Sequence, residues 1–447
     1  MPRRNARPLA ALAAALALGV TAAAPAHAAT DPLFDEQWAL SNPEATGAQE
    51  AWTQTRGDGV LVAVLDSGVQ LSHPDLAAKL WRNKGEVPGN GADDDRNGFV
   101  DDVHGANMIA NNGNVDDDEG HGTHVAGIVA AQAGNDAGGM GIAPGATIMA
   151  VKVLDASRAG NSTWLARGIR YAVDAGAEIL NVSINGDGTS SDLEDALRYA
   201  GERGATVVAS AGNNSRNIDL TPSYPASSSA PAVLSVTATE STGGLLSIAN
   251  RGPSSIDLAA PGGTILSTAR GSRYELRQGT SMAAPFVAGS LALLAAARPD
   301  LSQPSLRSAL LQSAPRPSAL AGLLGSGALD VGAAMHRVLP GDMWRGPGAA
   351  ATAAEQEAER LRLLAKSKVR AGRAATVRWK FSGDARVERW RVSLDGRTVG
   401  TVNNGERSLA RKRVSRTGRH RWKVVGVDAA GKRVVSATRS FRVVRKR

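Results

Sequence analysis

Val60-Leu61-Val62-Ala63-Val64-Leu65-Asp66-Ser67-Gly68 is an apolar, β-branched run that ends on a carboxylate, a hydroxyl and a glycine. Six apolar residues without polar alternation fit a strand buried on both faces, as in a parallel sheet covered by helices. Similar runs recur at 148–154, 179–184, 207–211, 233–238 and 256–260. Between them, 164–175 and 192–202 carry apolar residues at helical spacing. Buried strands alternating with helices predict an α/β fold with a mostly parallel central sheet flanked by helices.

In open parallel sheets, functional groups gather beyond the carboxyl ends of the strands. Asp66 lies just past the first run and Asn213 just past the one at 207–211. His121, in His121-Gly122-Thr123-His124-Val125-Ala126-Gly127, and Ser281, in Gly279-Thr280-Ser281-Met282-Ala283-Ala284-Pro285, each open an apolar helical run. Four polar groups can therefore converge on one edge. A serine hydroxyl becomes a useful nucleophile when an imidazole accepts its proton, and that imidazole needs a carboxylate to fix its tautomer. Ser281, His121 and Asp66 can fill those roles. The Ser281 backbone N–H at a helix N-terminus and the Asn213 amide are the available donors for a developing oxyanion. His124 lacks the i, i+4 spacing and the glutamate of a zinc-binding H-E-x-x-H helix, and reads as a structural residue on a helix face.

The segments around Asp66, His121, Asn213 (Ser210-Ala211-Gly212-Asn213) and Ser281 resemble the motifs of subtilases, the subtilisin-like serine peptidases, in the chain order Asp, His, Ser. The resemblance covers roughly residues 31–339. It implies a subtilisin-like fold and broad endopeptidase activity on protein or peptide substrates through an acyl-enzyme. Ser183-Ile184-Asn185-Gly186 resembles the family's substrate-pairing strand, with Asn185 where glycine is more usual. Ser223, before Tyr224-Pro225-Ala226, looks like the floor of the specificity pocket. No acid sits there, which favours an uncharged, apolar residue before the scissile bond. Asp31-Pro32-Leu33-Phe34, His73-Pro74-Asp75-Leu76 and the loop 132–139 resemble the calcium site of thermitase-like members. The implied ligands are the side chains of Asp31, Asp75 and Asn135 and the carbonyls of Gln132, Ala137 and Gly139.

A second acidic loop, Asp93-Asp94-Asp95-Arg96-Asn97-Gly98-Phe99-Val100-Asp101-Asp102, opens like an EF-hand, but its twelfth position is His104 rather than glutamate. Asp93, Asp95 and Asn97, with one of Asp101 or Asp102, could ligate a second Ca2+; the alternative is a solvated loop. One or two structural calcium sites and no organic cofactor are expected.

At 447 residues the chain is long for one core. Residues 1–28 follow the charged, apolar and A-x-A plan of a secretory signal cleaved after Ala28, and no later stretch reads as a membrane span. The expected product is secreted, free or surface-associated, and monomeric. With no cysteine, disulfides cannot hold it together. Asp31 follows the cleavage site at once, leaving no room for an N-terminal prodomain, so calcium at Asp31 is expected to assist folding. The net charge of +9 conceals a division, −14 over residues 29–344 and +20 over 345–447. The expected domains are a peptidase domain at 29–340, a linker at 341–368 with a short helical pattern, and a basic antiparallel β-sandwich of immunoglobulin or fibronectin III type at 369–447. The basic tail suits an anionic polymer or docking onto the acidic domain. A catalytically silent polyanion-binding protein is the alternative to a peptidase.

Overall fold

The structure is a computed structural model that describes residues 31–339, Gly341, Trp344 and eight strands between residues 361 and 444; the leader expected at 1–28 lies outside the described residues. The strands of the first part are β1 Leu61–Asp66, β2 Thr147–Lys152, β3 Ile179–Val182, β4 Thr206–Ser210, β5 Val233–Thr239, β6 Leu258–Pro261, β7 Ile265–Ala269, β8 Arg273–Arg277 and β9 Gly327–Ala328. Seven of them form one parallel sheet in the order β2-β1-β3-β4-β5-β6-β9. β7 and β8 form a separate antiparallel hairpin. From β1 the chain passes outward to β2 and then crosses to β3 on the other side. That reversal of direction is where open sheets leave a crevice at their carboxyl edge.

Three single-turn helices, α1 Trp38–Ser41, α2 Pro43–Thr46 and α3 Ala48–Ala51, lead into six longer ones: α4 His121–Ala130, α5 Ser162–Asp174, α6 Ser191–Glu202, α7 Thr280–Ala297, α8 Gln303–Ser313 and α9 Val331–Val338. Successive side chains of a strand point to opposite faces, and β1 shows the consequence. Val62 and Val64 pack with α4 and α7 on one face, while Ala63 and Leu65 pack with α5 and α6 on the other. All four are fully buried. Each buried Val or Leu is worth about 1.5–3 kcal/mol, so both faces of β1 must stay apolar.

By length and composition α7 could cross a membrane, contrary to the expectation that no stretch past the leader qualifies. Its residues from Met282 to Leu294 are all buried in the protein core, which accounts for an apolar surface on every side. α4 carries Gly122 in its first turn despite a helix penalty of about 1 kcal/mol. A Cβ there would meet the Gly68 carbonyl oxygen at 2.1 Å and Asp66 Cβ at 3.0 Å. The glycine lets the helix start against the end of β1.

Beyond residue 360 the strands are β10 Leu361–Ala365, β11 Lys368–Arg370, β12 Ala374–Phe381, β13 Arg389–Leu394, β14 Arg397–Asn403, β15 Leu409–Arg413, β16 Gly418–Val427 and β17 Arg433–Val444. They pair as β10-β12-β15 and β11-β17-β16-β13-β14, with antiparallel neighbours except β11 and β17. Most of the linker expected at 341–368, and the start of its helical pattern, lies outside the described residues; within it, Leu361–Ala365 is an extended strand. β10 places Leu361 opposite Phe381 and Leu363 opposite Trp379, and strand pairing overrides the weak helical preference of its residues.

Candidate active site

Asp66 is the last residue of β1 and His121 the first of α4, so sheet edge and helix start meet at the crevice. His121 Nδ1 lies 2.7 Å from Asp66 Oδ1, with Asp66 fully buried. The same Oδ1 accepts from the Ser67 backbone N–H at 2.8 Å. A carboxylate bonded to Nδ1 holds that nitrogen as the donor and leaves Nε2 as the acceptor, the tautomer a general base needs.

Ser281 occupies the second position of α7, and its backbone N–H is one of the first-turn donors that a helix cannot pair internally. Its hydroxyl donates to the Ser183 carbonyl at 2.9 Å, and the Ser183 hydroxyl donates to the Ser281 carbonyl at 2.8 Å. Ser281 Oγ is thus bonded to the wall of the cleft. Both residues line one cleft of about 940 Å³. Asn213 Oδ1 accepts from the Thr280 N–H at 2.8 Å, which leaves Nδ2 as the donor of an amide fixed to the base of α7. Gly279 permits this approach. Its φ is +136°, and a Cβ would come within 3.0 Å of Asn213 Nδ2.

An acid, a base, a hydroxyl and an amide on one crevice can carry out acyl transfer. The sequence model described as the subtilase family matches residues 57–339. The chain belongs to the subtilase family. It is 38% identical to thermitase of Thermoactinomyces vulgaris over 265 residues, which is 59% of this chain and 84% of that protein. It is 36% identical to a thermophilic serine proteinase of Bacillus sp. (strain AK1), over 60% of this chain and 63% of that one. Among solved structures, a protease of Pseudoalteromonas arctica PAMC 21717 matches with a TM-score of 0.59 and 31% identity, covering 71% of this chain and all of that one. The chain is accordingly a subtilisin-like serine peptidase, and its peptidase part has the subtilisin-like α/β fold.

Behind the subtilase site, Asp117 and Lys152 tie the crevice edge together, and the role of Lys152 was not anticipated. Asp117 Oδ1 accepts from Ser67 Oγ, Glu119 N and Gly120 N, and Oδ2 accepts from Thr123 N and Oγ1. Burial pushes this carboxyl up, yet the bonds from Thr123, Gly120 and Ser67 outweigh it and hold the pKa below the usual carboxylate range. Ser67 Oγ also accepts from Gly122 N at 2.9 Å, so the network ties the turn after Asp66 to the start of α4. Lys152, opposite Asp66 on β2, is buried and donates to the carbonyls of Ser67 and Leu154 and to Asp118 Oδ1, at 2.6, 2.8 and 2.6 Å. The signal was a lysine inside an apolar strand run, because a buried ammonium requires partners. His124 is fully buried and bonded to the Glu275 carbonyl at 3.0 Å, in the structural role expected of it.

Of the candidate substrate residues, Ser183, Ile184, Asn185 and Gly186 line the cleft, and Ser223 is fully buried beneath it. Of the candidate calcium ligands, the first set converges. Asp31 accepts from Gly134 N and Asn135 N, Asp75 Oδ1 accepts from Asn135 Nδ2 at 2.7 Å, and Gln132 N donates to the Asp75 carbonyl. In the same loop Ala137 N donates to Asn135 Oδ1, and Gly139 lies against Gln37. Burial raises both carboxyls, and at Asp31 the charges of Asp75 and Asp136 add to it. Asp75 Oδ2 is buried, with the Tyr274 hydroxyl beside the carboxylate.

In the second loop the carboxylates that converge are Glu86, Asp95 and Asp102, with one oxygen of each within 4.8 Å of the others. Asp93 instead accepts from Asn97 N and Gly98 N, and Asn97 Nδ2 donates to Asp95 and Asp102. Asp93 and Asn97 therefore shape the loop. Glu86 lies ahead of the acidic motif and gave no sign in the sequence; its Oε2 is buried without a partner.

Proposed function

We propose that this subtilase is an exported endopeptidase of broad specificity, using Ser281 as nucleophile, His121 as base and Asp66 as its orienting acid, with the Ser281 N–H and Asn213 Nδ2 receiving the oxyanion. In the reaction Ser281 Oγ leaves the Ser183 carbonyl and gives its proton to His121 Nε2. The observation that carries the reading is the Asp66–His121 pair opening, with Ser281 and Asn213, onto one extended cleft. Residues 183–186 pair with the substrate backbone, and Ser223 underlies a pocket for an uncharged side chain. Digestion of an unfolded protein, with the cut sites mapped by mass spectrometry, tests this. Internal cuts after uncharged residues are expected; trimming from the ends, or cuts mainly after charged residues, would overturn it.

Two Ca2+ ions fit the donor sets. The buried carboxylate oxygens of Asp75 and Glu86, the latter without a hydrogen-bond partner, are hard donors in crowded acidic surroundings, which is what calcium prefers. Asp31, Asp75 and Asn135 with loop carbonyls would hold one, and Glu86, Asp95 and Asp102 the other. Bound calcium supplies structural cross-links rather than chemistry.

The strands beyond residue 360 form a small basic β-sandwich that retains the enzyme on an external anionic polymer. Their charge, +20 over residues 345–447, supports this. Full-length protein should bind polyphosphate with a log affinity that falls linearly with log salt. No binding at low salt would favour docking of the tail on the acidic domain.

A further inference from the structure

The cleft beside Ser281 is lined by residues 183–186, by Asn213 at the end of the 210–213 turn, and by Tyr224 and Pro225 next to Ser223; we read 183–186 and 210–213 as the walls, and Ser223 as the floor, of the recess for the residue before the scissile bond. Its width is fixed. Gly186 and Tyr224 exchange both backbone hydrogen bonds, at 2.9 and 2.8 Å, holding the first wall to the floor. Gly212 N donates to Thr280 Oγ1 at 3.0 Å and Asn213 Oδ1 accepts from Thr280 N, holding the second wall to α7.

Asn185 lies across this gap. The residue is exposed at the cleft, yet its Nδ2 donates to the hydroxyl of the fully buried Ser223 at 3.2 Å. Its amide also lies against the opposite wall, where a Cβ on Gly212 would come within 2.9 Å of Nδ2 and 3.2 Å of Cγ. The side chain therefore spans the first wall, the floor and the second wall.

We propose that Asn185 plugs the specificity recess, so that this subtilase selects a small uncharged residue such as alanine or serine before the scissile bond and disfavours phenylalanine and leucine. The inference rests on reading residues 183–186 and Ser223 as the substrate groove. A large apolar side chain has two ways to bind. It can displace the amide from Ser223, leaving polar groups buried without partners. Or it can stop short of the floor, lifting its carbonyl away from Ser281. A methyl group needs neither, so the difference falls on kcat/KM.

The test uses peptides that differ only in alanine or phenylalanine before the cut, with active sites counted by fluorophosphonate titration so that misfolded protein drops out. The wild type should favour alanine. Asn185→Gly should move the ratio toward phenylalanine by about 10- to 200-fold, and Ser223→Ala in the same direction by less, because the amide loses its anchor. A wild-type preference for phenylalanine, or an unchanged ratio in Asn185→Gly, overturns the plug. Asn185→Asp separates the two levels, since a carboxylate facing the recess should raise cleavage after lysine. Without that rise the groove reading itself fails, and the plug with it; with the rise but no size shift in Asn185→Gly, the plug alone fails.

Discussion

Ser281 stands where a helix N-terminus, an imidazole and a fixed amide can act on one reacting carbon. Asn213 gains its value from being held by Thr280 N before any substrate arrives, because a donor already oriented needs no rearrangement in the transition state. Asn213→Ala should lower kcat by about 10²- to 10³-fold with a small change in KM, measured by steady-state hydrolysis of a peptide. A fall confined to KM would mean that Asn213 binds the ground state instead. At this scale the sequence is legible where chemistry demands a residue type within a motif, as at Asp66, His121 and Ser281. It is silent where a group matters through position alone. Glu86 lies outside the acidic motif, and the bond from Ser281 to the Ser183 carbonyl depends on a rotamer.

The helices and strands hold these residues by burial, and His124 shows how that links to pH. Burial, with the nearby charges of Arg277 and His121, lowers its pKa to about 3, while the bond to the Glu275 carbonyl opposes the shift. Between pH 6.5 and 3 the unfolded chain takes up a proton that the folded chain refuses. Stability is therefore lost as pH falls through that window, by up to about 1.4 kcal/mol per pH unit. His124→Gln can still donate toward Glu275 but cannot titrate, so its stability curve, measured by urea unfolding at several pH values, should fall less steeply below pH 6.5. Parallel curves would contradict this. The parallel strands were readable because burial on both faces makes them continuously apolar. The β7–β8 hairpin and β9 were not. β8 carries Arg273, Glu275 and Arg277 on a partly exposed strand, and β9 is only two residues long.

On the scale of the whole molecule, a chain without cysteine brings distant segments together through carboxylate clusters, residue 31 to the loop after α4, and residue 86 to residue 102. Calcium at 100 times its dissociation constant would stabilise each such site by about 2.7 kcal/mol. Chelation should therefore lower Tm, and Glu86→Gln should shrink the difference between calcium and chelator; an identical Tm in both would remove calcium from the account. The opposite charges of residues 29–344 and 345–447 were plain in composition, whereas the extended start at β10 was hidden by its weakly helical residues. Each of these elements bears on whether the crevice activates Ser281. The most direct test is fluorophosphonate labelling with the adduct located by mass spectrometry. One adduct per chain on Ser281 is expected, absent in Ser281→Ala and formed orders of magnitude more slowly in His121→Ala. Intact protein that is not labelled at Ser281, or is labelled as fast without His121, would contradict it.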